Sequence, residues 1–93
     1  MSIKNLREDI RTAADPQIAR HSAGFFKTLP GEYGETDCFI GVRVPVIRKL
    51  VKKHMPLAPK ALFELLQSRY HEERLAALVG LVALYETAES ALR

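Results

Sequence analysis

His71-Glu72-Glu73-Arg74 sets a histidine, two acids and an arginine in a row at the expected start of a helix. Such a grouping invites a metal reading. A zinc helix of the H-E-x-x-H type needs a second histidine one turn later. That position holds Leu75, so zinc is excluded. Glu72 and Glu73 are expected instead to complement the positive end of their own helix dipole, with Arg74 reaching a nearby carboxylate. The role is structural.

Other chemistry-bearing residues lead no further toward catalysis. Gly31-Glu32-Tyr33-Gly34 resembles a phosphate-cradling loop only in its glycines, because Glu32, Glu35 and Asp37 fill it with charge of the wrong sign. It reads as a turn. Cys38 is the single cysteine, so an internal disulfide and a Cys-rich zinc site are both excluded. With Phe39 and Ile40 beside it and no base before Arg43, it reads as a small buried hydrophobe rather than a reactive thiol. No Ser/His/Asp set or carboxylate pair assembles, and no catalytic residue, metal or cofactor is expected.

Charge is more informative. The net charge of +3 conceals a window from Phe39 to Phe63 with six basic residues and no acid, against eight basic residues and all eleven acids elsewhere. On a wheel of about 100° per residue, Arg48, Lys49, Lys52 and Lys53 share one side of VPVIRKLVKKH. Val46, Ile47, Leu50, Val51 and His54 share the other. No acid on that helix offers the cations an i,i+4 partner. A bare cationic stripe suits phosphates, since duplex DNA is bound chiefly through backbone neutralisation. No helix carries Asn, Gln and Arg at base-reading spacing, so contacts would be independent of sequence. A rival reading makes the chain a helical-repeat protein-interaction scaffold with no nucleic-acid role, its basic helix merely solvated.

The elements that position these residues are short helices. Ser2 is a candidate cap for a first helix to about Ala14, with Ile3, Leu6, Ile10 and Ala13 at helical spacing. Asp15-Pro16 supplies a cap and first residue for a second helix, to about Thr28. Residues 30–41, PGEYGETDCFIG, form a connector. A third helix starts at Pro45 and stops before Met55-Pro56, a short fourth opens at Pro59 and holds Leu62, Phe63, Leu65 and Leu66, and a fifth begins near His71. The fold class is all-α, about five short antiparallel helices stacked as a HEAT-like α-solenoid segment. Composition is that of a soluble globular chain, 47% hydrophobic and 27% charged. No signal peptide or membrane span is visible, which predicts a cytoplasmic protein without membrane contact.

The fifth helix is unusual, with no charged side chain from Leu75 to Tyr85. Leu75, Leu78, Val79, Val82 and Tyr85 fall on one side and are expected to fill the core. Ala76, Ala77, Gly80 and Ala83 fall opposite, where a neighbouring backbone would approach closely. Leu81 and Leu84 flank that small-residue side, and Thr87, Glu89, Ser90 and Arg93 bring polarity only past the helix. An uncovered apolar side predicts either further sequence beyond Arg93, making residues 1–93 one domain at the N-terminus of a longer chain, or self-association through the Leu75–Tyr85 helix.

GVRVPVIRKLVKKH at 41–54, preceded by KTLPGEYGETDCFI and followed by SRYHEERLAALVGLV at 68–82, resembles the N-terminal half of the AlkD-like DNA alkylation repair proteins. In that family a G-[IV]-R-x-P-x-[LI]-R-x-L segment follows a PGEYGE-type connector and precedes a HEERLxAL-type helix. The resemblance implies a HEAT-like solenoid with a basic concave face for duplex DNA, and excision of alkylated purines by characterised members. Arg43 and Arg48 match arginines of the pattern; either would touch DNA or tie the connector down. His21, in ARHSAGFF, stands where some members carry an aromatic near the lesion-facing cleft. The DNA-contacting set implied is Arg43, Arg48, Lys49, Lys52, Lys53 and His21. The family's catalytic Asp, in an N-x-W-D-like segment, has no counterpart here, and the chain has no Trp. The 93 residues are expected to be catalytically silent alone.

Overall fold

A computed structural model describes residues 3–25 and 38–91, apart from the side chains of 23–25 and 91. Five helices follow in order: α1 (Ile3–Thr12), α2 (Pro16–Phe25), α3 (Val44–His54), α4 (Pro59–Leu65) and α5 (His71–Ala91). Among the described residues no strand forms; Cys38 and Tyr70 share a single bridge, closed by the His71 N–H donating to the Cys38 carbonyl at 2.8 Å. The fold is all-α, as expected. Ser2 and most of the connector, including Gly31 to Asp37, lie outside the described residues, as does the expected end of the second helix.

Punctuation in the sequence sets the boundaries. Asp15 Oδ1 accepts the Gln17 N–H at 2.8 Å, capping α2 just before Pro16. Pro45 and Pro59 occupy the first turns of α3 and α4, where a missing N–H costs nothing. α3 ends at Met55, whose N–H still reaches the Val51 carbonyl, ahead of a cis Met55–Pro56 bond.

α5 packs on α3, α4 and α1, and α1 packs on α3 and α4. Leu6 and Ile10 of α1, Ile47 and Val51 of α3, and Leu62 and Leu65 of α4 are fully or almost fully buried, together with Ala76 and Ala77 of α5. Four helices therefore share one core. Among the described residues α2 adds no side chain to this core, and it is fastened at its start, where the Asp15 N–H donates to the Gly41 carbonyl at 2.9 Å.

The sides of α5 depart from the expectation in part: Leu75 and Val79 pack against the core as expected, but the centre of the contact belongs to the small residues. Ala76, Ala77 and Gly80 face the core, whereas Leu78, Val82 and Tyr85 are 52%, 54% and 69% exposed. The close approach foreseen for the small side occurs, but toward the domain's own centre. A Cβ on Gly80 would sit 2.8 Å from the Leu62 Cδ2. α5 has to lie on three helices at once, and a face of small residues lets all three come near. Leu81 and Leu84, which flank the small-residue side, are half-buried against the core. Thr87, Glu89 and Ser90 lie within α5, which runs to Ala91, and not beyond it. Phe63 of α4 is 57% exposed, unlike the buried Leu62 and Leu65 beside it.

Candidate functional site

α3 carries its cations outward as its pattern requires. Ile47, Val51 and His54 are buried, and Arg48, Lys49, Lys52 and Lys53 are all exposed. Val46 is a correction: it is 41% exposed. At about 100° per residue it lies next to Lys53 on the wheel, well away from the arc centred on Ile47.

The four cations do not act as one stripe. Lys49 and Lys52 occupy the crown, opposite the buried arc. Arg48 and Lys53 stand at its two edges, and each edge meets a different neighbour. Arg48 borders a groove along α5 beside Leu78, Val82 and Glu86. Lys53 Nζ is 3.2 Å from Asp9 Oδ2 on α1. The same Asp9 oxygen lies 2.7 Å from His54 Nε2, which donates because a carboxylate only accepts. These two hydrogen bonds, His54 first, hold the Asp9 carboxyl below its ordinary value. Asp9 carries no signal in the sequence, since its partners are 44 and 45 residues away.

Arg43 and His21 come together elsewhere. They line a cleft of about 340 Å³ between α2 and the starts of α3 and α5. Ile18, Phe39 and Leu75 make its walls apolar. The His71 ring lies in it too, with its centroid 5.0 Å from that of Phe39. The sequence marks His71 only as a failed zinc ligand; its place beside His21 depends on the fold.

Glu72 builds this cleft. Its carboxylate takes three consecutive backbone N–H groups, from Ile40 at 2.9 Å, Gly41 at 2.8 Å and Val42 at 3.2 Å. Successive amides turned inward make an anion-binding nest, and Glu72 fills it. The turn needs Gly41 at φ +94°, because a Cβ there would stand 2.0 Å from the Asp15 carbonyl oxygen. The nest thus fixes the residues immediately before Arg43, the N-cap position of α3.

Glu73 points elsewhere. It is fully buried and accepts the Ser68 hydroxyl at 2.6 Å, with Arg7 and Arg11 of α1 each 3.4 Å away. Arg74 donates to the Ser68 carbonyl at 2.8 Å rather than serving only a carboxylate. Both acids are structural, as the sequence indicated. They stand in the first turn of α5, as expected, and add partners no local pattern marks: the segment before α3 for Glu72, and for Glu73 the helix α1 beside Ser68 at its own helix start. No group of three potential metal ligands occurs among the described residues.

Fold and site together define a small helical stack with a cationic outer helix and a basic-edged cleft at one end. The family model described as DNA alkylation repair enzyme matches residues 6–93, and the chain belongs to that family. Neither the curated proteins nor the solved structures yielded a match. Membership carries a DNA repair role as its coarse functional statement. No helix among the described residues is long and apolar enough to cross a membrane.

Proposed function

We propose that this chain is a duplex-DNA-binding segment of the alkylation-repair type, holding the phosphate backbone without reading bases, within a HEAT-like stack. The observation that carries the reading is the exposed crown of α3, where Lys49 and Lys52 lie between Arg48 and Lys53 with no acid on the helix. Arg43 and His21 extend the contact surface into the cleft. Lys53 contributes less than its neighbours, because Asp9 already neutralises part of its charge.

Base excision is not expected from these residues. Glu72 is the carboxylate that lines the cleft, and both of its oxygens are engaged by backbone amides. A group so held cannot shift to stabilise positive charge developing on a sugar. Incubation with DNA carrying alkylpurines should release no base above the uncatalysed rate; enzyme-dependent release would overturn this part of the reading.

Binding is tested by charge reversal. Lys49→Glu with Lys52→Glu should weaken binding to any duplex and reduce the salt slope by roughly one unit for each phosphate no longer neutralised. Lys4→Glu with Lys60→Glu is the control of equal charge change. Both positions lie in first helical turns, where an acid suits the dipole. Equal losses of affinity in the two double variants would leave only net charge and sink the assignment to α3. Arg7 and Arg11 make poor controls, because they pair with the buried Glu73.

A further inference from the structure

Leu78, Val82 and Tyr85 stand on the outer face of α5 at i, i+4 and i+7, each more than half exposed. Beside them runs a groove of about 470 Å³ whose lining includes Val79 and Ala83, with Arg48 and Glu86 also on it. We propose that this face binds a second copy of the chain, α5 lying antiparallel to its twin across a twofold axis through Val82.

Shape argues for that register. Tyr85 follows Val82 by three residues and Val79 precedes it by three. A twofold through Val82 therefore sets the Tyr85 ring of each copy over Val79 of the other, a knob against a groove. A C2 contact uses one patch twice, so a surface that carries both the knob and the groove complements itself.

Charge argues for it as well. Arg48 and Glu86 lie on the same groove with opposite signs. Each copy offers the other a base where the other brings an acid, and the pairing is made twice. The two Glu86 side chains would lie roughly 12 Å apart along the helices, at 1.5 Å per residue, so they do not oppose each other. Between Leu75 and Tyr85 no charge interrupts the seam. Antiparallel helices also set opposite dipole ends side by side. The proposal draws Arg48 into the seam and leaves the exposed Lys49 and Lys52 to the DNA reading.

Sedimentation equilibrium of the 93-residue chain from micromolar to near-millimolar concentration is the direct test. A monomer–dimer equilibrium is expected; a monomer throughout overturns the proposal. Val82→Glu sets two acids on the axis and should abolish the dimer, while circular dichroism and melting stay as in the wild type because Val82 is exposed. A dimer that survives this change overturns it too. The register is tested by Arg48→Glu and Glu86→Arg, each of which should weaken the dimer several-fold. Combined, they should restore it, since the pairing is then reversed rather than removed. A double variant no tighter than either single one shows that the charges do not meet and refutes the arrangement. In a Cys38→Ser background, Val82→Cys should form an interchain disulfide readily and Thr87→Cys should not, because only a residue on the axis meets its own copy. Equal cross-linking of the two again refutes it.

Discussion

α3 and α5 lie against each other in the same core, yet polarity governs one and size governs the other. In α3 charge sets the facing: Ile47 and Val51 go in, Lys49 and Lys52 go out, and Val46 is exposed beside Lys53. α5 offers no such contrast between Leu75 and Tyr85. Its orientation follows from what fits, and the smallest side chains take the most crowded place. Hydrophobic burial is non-directional; it decides which way a helix faces only when one side is costly to bury. Where both sides are apolar, close packing of the interior makes the choice.

The two helices are joined by Glu72, and its removal is the strongest way to break the comparison. Glu72→Ala leaves three backbone donors, two of them on buried residues, without their acceptor. Each orphaned group costs about 1–3 kcal/mol. Denaturant unfolding should show a destabilisation of about 3 kcal/mol or more, with the start of α3 exchanging its amide hydrogens first. A change below about 1 kcal/mol, on the order of a surface substitution, would mean that the nest holds together without its anion.

Enlarging the small side of α5 comes next. Gly80→Val places a branched side chain where even a Cβ meets Leu62 at 2.8 Å. Overpacking of this kind costs about 1–3 kcal/mol. Val82→Thr, two residues on but outward, should stay within about 0.5 kcal/mol for the monomer. Measured side by side in urea, the pair reports which face is buried. Equal costs would contradict the orientation of α5.

The smallest effect concerns the far edge of α3. Asp9 is held below its ordinary value of 3.8, chiefly by its hydrogen bond with His54 and then by Lys53. A carboxylate with a depressed folded value stabilises the fold above its unfolded value, and the contribution disappears as pH falls through the folded value. Stability of the wild type should therefore decline below about pH 4 more steeply than that of Asp9→Asn. Coincident acid limbs in the two proteins would show that the α1–α3 tie carries no linkage.

Most of the fold was legible in the chain because its signals are local. Asp15-Pro16, Pro45, Met55-Pro56 and Pro59 act on their own turns, and the helices begin and end beside them. The cationic crown was legible for the same reason, since a helix wheel needs no partner. What the wheel missed was its edges. Arg48 and Lys53 share one side of α3 in projection, but α5 and α1 claim them separately.

By itself, then, the sequence determined five helices, an outward set of lysines and a structural part for the HEER segment, all consequences of spacing within a few turns. Tertiary structure alone decided which side of α5 is buried, because Leu62, 18 residues earlier, lies so close that a Cβ on Gly80 would push against its methyl groups. It also decided that Glu72 reaches back some 30 residues to the amides before Arg43. A carboxylate and three amides are ordinary groups at any position in a chain. They become a cleft only when packing brings the start of α5 against the turn that Gly41 permits, and no local pattern encodes that meeting.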